Sequence, residues 1–171
     1  WPDSNHGVTV DHKGNVWLAG NGQKDTQILK FSNDGRFLLQ IGKHGVHNGS
    51  NDVENFWEPT KIFAEPSANE VYVSDGYGNR RIIVFDAKTG AYKRHWGAYG
   101  TKTPTDDKLP PYKPVAFTDQ SKSFGNPVHC VRLSNDGLVY VCDRANDRIQ
   151  VFKPDGTFVK EFQVEPDTLQ N

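Results

Sequence analysis

Apolar and polar residues alternate in short runs along most of the chain, as in VTV at 8–10, VYV at 71–73 and VYV at 139–141. Successive side chains on a strand point to opposite faces, so such runs predict half-buried β-strands. No stretch sustains a 3.6-residue period. Between the runs stand Asp-Gly, Asn-Gly, Thr-Gly and Gly-Asn pairs, the residue types that tight turns demand. The pattern is all-β.

The runs repeat. HGVTVDHKGNVWLAG from His6, TKIFAEPSANEVYVSDG from Thr60 and HCVRLSNDGLVYVCD from His129 open three units that align throughout. Val16, Val71 and Val139 fall at one equivalent position, Ile28, Ile82 and Ile149 at another, and Phe31, Phe85 and Phe152 at a third. Strands are expected at 7–11, 16–19, 27–31 and 37–41, then at 61–65, 70–74, 81–85 and 91–96, and finally at 130–133, 138–142, 148–152 and 158–163. Four antiparallel strands in about 40 residues is the pattern of a β-propeller blade. Residues 1–171 therefore read as one propeller segment with blades at 6–42, 60–97 and 129–163, joined by connections 43–58 and 98–128. Three blades leave two outer faces uncovered. The expected whole is a six-bladed ring, its remaining blades supplied by the same polypeptide or a second copy.

In a blade of strands A to D, the start of A, the B–C turn and the D-to-A connection lie at one end. His6 and His129 each begin an A strand, the strand nearest the axis, with Thr60 at the matching place in the middle unit. Tyr77 sits in a B–C turn at the same end, within DGYGN. A tight turn needs Gly and Asn, not a phenol. Both long connections lie there too, and polar groups converging beside an axial channel make a site.

Composition narrows the field. Net charge is −1, with 20 basic residues scattered among 21 acidic ones, so no nucleic-acid-binding stripe is expected. No apolar run reaches the roughly 18–20 residues of a membrane span. There is no Met and the chain opens at Trp1, which suggests a processed or excised piece of a longer product. Cys130 and Cys142 flank the SNDG turn at 134–137. Pairing Leu133 with Leu138 sets Cys130 opposite Val141 and sends the two sulfurs to opposite faces, so free, buried thiols are expected; a one-residue change of register reverses this.

Other residues read as structural. Asp75 and Asp143, like Arg81 and Arg148, recur at equivalent places, which argues for ion pairing or turn capping. Trp17, Tyr72 and Tyr140 share one B-strand position and are expected to pack between blades. His44 and His47 form an H-x-x-H in a Gly-rich loop; off a helix that spacing fixes no ligand geometry, though the loop can line the mouth of the site. DRANDRIQVF reads as blade.

The stretches NHGVTVDHKGNVW, VYVSDGYGNRRI, NPVHCVRL and VYVCDRANDRIQVF resemble the NHL-repeat propellers, and among them the peptidyl-α-hydroxyglycine α-amidating lyases. The likeness covers most of the chain. It implies a six-bladed ring that holds an axial zinc through three histidines from alternate blades, two of them matched by His6 and His129. It also implies an active-site tyrosine at Tyr77 and a structural calcium that takes the backbone carbonyl matched by Val8. The implied reaction splits a carbinolamide, from a peptide or a small molecule, into an amide and glyoxylate. The implied location is extracytoplasmic, secreted or periplasmic. The third histidine and a catalytic arginine match nothing in this chain, and a family disulfide beside the tyrosine is replaced by Trp57 and Gly78. The residues alone also allow a second reading, a non-catalytic binding or scaffolding propeller. There His6 and His129 line a wet channel, Tyr77 packs in its turn, and 98–128 meets partners.

Overall fold

The computed structural model describes residues 1–104 and 122–164. These form three four-stranded antiparallel sheets, each with its strands in chain order. The first holds β1 (Asn5–Val10), β2 (Val16–Gly20), β3 (Gln27–Phe31) and β4 (Phe37–Gly42). The second holds β5 (Pro59–Glu65), β6 (Glu70–Asp75), β7 (Arg81–Asp86) and β8 (Tyr92–Trp96). The third holds β9 (Val128–Leu133), β10 (Val139–Asp143), β11 (Arg148–Phe152) and β12 (Phe158–Gln163). Much of connection 98–128 lies outside the described residues.

The three innermost strands all begin two residues before the alternation predicts. Each carries a bulge there. Thr60 is the extra residue between the pairs Pro59–Asp75 and Lys61–Ser74, and His129 the extra one between Val128–Asp143 and Cys130–Cys142. In β1 the register slips between His6 and Thr9. A bulge lets a ladder run on past a polar residue that faces away from its sheet.

Apolar layers join the sheets. Trp17, Ile28, Ile62, Val73 and Phe85 fill the first interface, and Tyr72, Ile82, Val131, Val141 and Phe152 the second. β1 packs beside β5, and β5 beside β9. The repeated B-strand aromatic is buried at Trp17 and Tyr72, each covered by the next blade, but Tyr140 is only half-buried and bonds Asp136 through its hydroxyl. Tyr140 thus departs from the expected packing because no blade lies over it. Val10 and Phe37 on the first blade are 63% and 59% exposed, and Phe162 on the third is 42% exposed. This is part of a propeller that needs further blades. No helix among the described residues is long and apolar enough to cross a membrane.

Buried ion pairs hold the incoming connections. Arg81 meets Asp75 at 2.9 Å and Arg148 meets Asp143 at 2.7 Å, all four side chains fully buried. Arg81 also donates to the main-chain oxygens of Ser50 (3.0 Å), Asn55 (2.6 Å) and Asp52. The carboxylates accept the N–H of Trp57 and of Gly125. In the first blade Gly20 and Gln27 stand where the pair should be, and the carboxylate comes from Asp25 instead. Its oxygens accept the N–H groups of Asp3, Ser4 and Gly22. A Cβ on Gly20 would overlap that carboxylate.

The cysteine expectation is overturned. Leu133 pairs with Val139, not Leu138, so Cys130 faces Cys142 and the two form a disulfide with a Cα–Cα distance of 4.9 Å. The turn explains the difference. Ser134 N–H donates to the Leu138 oxygen, and Gly137 adopts φ +77°, which makes a three-residue loop where four were expected.

Candidate functional site

Three rings from three different elements meet at the inner edge of the sheets. The centroid of His6 on β1 lies 5.5 Å from that of His129 on β9, with the rings at 87°. Tyr77, from the β6–β7 turn, lies 5.5 Å from His6 at 89° and 5.9 Å from His129 at 90°. All three are half-buried. The structure therefore brings together the two histidines and the tyrosine that the sequence singles out.

His6 is oriented by the middle blade. Its Nδ1 stands 2.7 Å from the Thr60 carbonyl, which can only accept, so Nδ1 carries a proton and Nε2 is the nitrogen left to meet a ligand. Gly7 makes the approach possible: it adopts φ +74°, and a Cβ there would stand 2.8 Å from the same oxygen. Thr60 itself is buried. Its hydroxyl, with one proton to share, lies within hydrogen-bond distance of the carbonyls of Ser74 (2.8 Å) and Val128 (3.0 Å), between β5, β6 and β9. At the position matching the histidines, the middle blade contributes a brace.

His129 has its pKa lowered, first by burial and then by the charges of His6, Arg144 and Lys61. A neutral imidazole is what a metal requires. Two nitrogen donors with one locked tautomer suit zinc, but among the described residues no third His, Cys, Asp or Glu joins them in one ligating group. A separate group, Asp3, Asp25 and His44, has its ligating atoms within 4.8 Å of one another beside the first blade. His47 parts from His44 and stacks on Trp57 at 4.1 Å and 11°. Val8 lies within the register slip of β1, between His6 and Thr9, and is 53% exposed.

Arg144 is the residue that the repeat reading missed. It opens the 3-10 turn Arg144–Asn146 after β10, in the third blade's B–C connection, where Tyr77 lies in the second. The signal was there: both follow an Asp that ends a B strand, at the end of the blade that carries His129.

Comparison with known proteins agrees with the propeller fold. The NHL repeat profile matches residues 128–152. The third blade thus carries an NHL repeat, and the chain is similar to the NHL-repeat propellers. Peptidyl-glycine alpha-amidating monooxygenase B of Xenopus laevis is 30% identical over 159 residues, 92% of this chain and 16% of its own length. A probable peptidyl-alpha-hydroxyglycine alpha-amidating lyase of Caenorhabditis elegans is 26% identical over 148 residues, 86% of this chain and 36% of its own. The chain thus spans well under half of either relative. Virginiamycin B lyase of Staphylococcus aureus superposes with a TM-score of 0.57 over 94% of this chain and 41% of its own, at 17% identity, a likeness of fold.

Proposed function

We propose that this chain supplies part of the active site of a zinc-dependent lyase that cleaves a peptidyl-α-hydroxyglycine, or a small carbinolamide like it, to an amide and glyoxylate. The observation that carries the reading is the mutually perpendicular set of His6, His129 and Tyr77. His6 and His129 would hold zinc with a third ligand from another blade. When bound, zinc supplies a Lewis acid for the substrate's hydroxyl. As the phenolate, Tyr77 would take the hydroxyl proton as general base and pass it to the departing nitrogen. The released electron pair forms the carbonyl of glyoxylate as the C–N bond breaks, and the departing nitrogen gains a proton. Arg144, whose charge already acts on His129, holds the substrate carboxylate. Calcium at the Val8 carbonyl and an extracytoplasmic location belong to the same reading, the latter supported by the Cys130–Cys142 disulfide.

The test is metal content and turnover of the completed ring. His129→Ala should lose zinc, whereas Tyr77→Phe should keep zinc and lose turnover. A wild-type ring with no zinc above background would end this reading. That only two ligating side chains meet there among the described residues favours, as runner-up, a non-catalytic binding propeller, in which Tyr77→Phe changes nothing and deletions in 98–128 abolish partner capture.

A further inference from the structure

In every blade, the residue whose N–H is taken by the buried carboxylate faces the B–C turn. Asp3 faces Gly22, Trp57 faces Gly78 and Gly125 faces Ala145. The first and third blades close this junction with small groups: a Cβ on Gly22 would stand 3.0 Å from the Asp3 Cβ, and one on Gly125 2.6 Å from the Ala145 Cβ. The fold therefore needs no large side chain here. The second blade nevertheless places an indole against a glycine.

Gly78 is not a glycine for backbone reasons, since it is absent from the positive-φ residues. It is a glycine because the Trp57 ring fills the space of its Cβ. His47 backs the indole by stacking on it. The main chain adds to the hold: the N–H of Tyr77 donates to the Glu58 oxygen at 3.2 Å, and those of Gly78 and Asn79 to the Trp57 oxygen at 3.1 and 3.3 Å. Three successive amides, Tyr77 first among them, thus hang on residues 57 and 58.

We propose that Trp57 is a positioning residue for Tyr77. Seated on Gly78 and backed by His47, the indole does by packing what a covalent link between positions 57 and 78 would do, and keeps the phenol against His6 and His129. The catalytic consequence rests on the lyase reading above; the mechanical one does not. A displacement of a reacting group by about 1 Å can cost on the order of a hundredfold in rate, so a turn of two glycines flanking a general base needs a rigid seat.

The experiment compares amide exchange and turnover in the completed ring. Trp57→Ala should speed exchange at Tyr77, Gly78 and Asn79 by about tenfold or more, with β11 unchanged. It should keep its zinc and its KM, and lose kcat by roughly 30–100-fold. The Trp57 Cγ, one bond from Cβ, is the atom a Gly78 Cβ would meet first, so cysteines at both positions lie within disulfide reach. Trp57→Cys combined with Gly78→Cys should regain slow exchange and kcat when oxidised and lose both on reduction. Unchanged exchange at 77–79 in Trp57→Ala, or an oxidised double variant no better than Trp57→Ala, overturns the proposal. If Trp57→Ala does not fold, Gly78→Ala displaces the indole without removing it and decides the same point. A wild-type ring without turnover defeats the lyase reading alone, and the exchange comparison still decides what Trp57 holds.

Discussion

The Nδ1–H of His6 donates to the main-chain oxygen of Thr60 at 2.7 Å, so one blade aims the candidate ligand of its neighbour. Gly7 stands between them. Gly7→Ala adds a Cβ 2.8 Å from that oxygen at a φ of +74°, and should cost about 1–3 kcal/mol through backbone strain alone. On the lyase reading it should also weaken zinc binding by turning His6. Thermal melting and metal content of the same sample check both effects.

Asp25 and Gly20 have exchanged roles relative to the other blades. Asp25→Ala leaves the N–H groups of Asp3, Ser4 and Gly22 without their acceptor and should destabilise by about 2–4 kcal/mol. Gly20→Asp alone should also destabilise, because two carboxylates would claim one space. Joining it to Asp25→Gly and Gln27→Arg rebuilds the arrangement of Asp75 with Arg81 and should recover most of the loss. Denaturant midpoints of the three variants suffice; no recovery in the triple variant would show that the blades are not interchangeable here.

How much of this was legible in the sequence depends on range. The strands, the repeat and the Asp–Arg pairs follow from local alternation and recurrence. Tyr77 stood out because no turn requires a phenol. The bulges at Thr60 and His129 were not legible, since they depend on how a strand is paired rather than on its own residues. Asp25 was hidden because its carboxylate arrives from five positions beyond the glycine it serves. Arg144 was overlooked as one more residue of a repeated turn. The cysteine register failed on a single residue of loop length, which alternation cannot see.

Glu70 governs an acid limb of stability. Burial opposes its ionised form, but hydrogen bonds from Arg94, Tyr72 and Lys93 outweigh that and bring its pKa from 4.5 to about 2. A carboxyl held below its unfolded value stabilises fully above that value. The contribution is lost as pH falls from about 4.5 towards 2. With Arg94 and Lys93 part-exposed, it amounts to about 1 kcal/mol. Glu70→Gln should lower the melting temperature at neutral pH and flatten its decline over that acid interval.

The Cys130–Cys142 bond joins residues 12 apart across a hairpin. Replacing both cysteines by serine should cost about 2 kcal/mol, somewhat below the loop-entropy value because the hairpin already holds its ends together. Thiol titration under denaturing conditions should find no free cysteine in the oxidised protein and two after reduction.

Connection 43–58 belongs to two blades at once. The N–H groups of Phe56 and Glu58 donate to the oxygens of Thr26 and Asp25 on the first blade, while Arg81 of the second grips Ser50, Asp52 and Asn55. The repeat visible in the sequence is thus not a unit that can unfold by itself. A single blade lifted from this chain would leave its strap behind or carry off its neighbour's. The smallest piece fit for transplanting into another ring is a pair of blades with the connection between them.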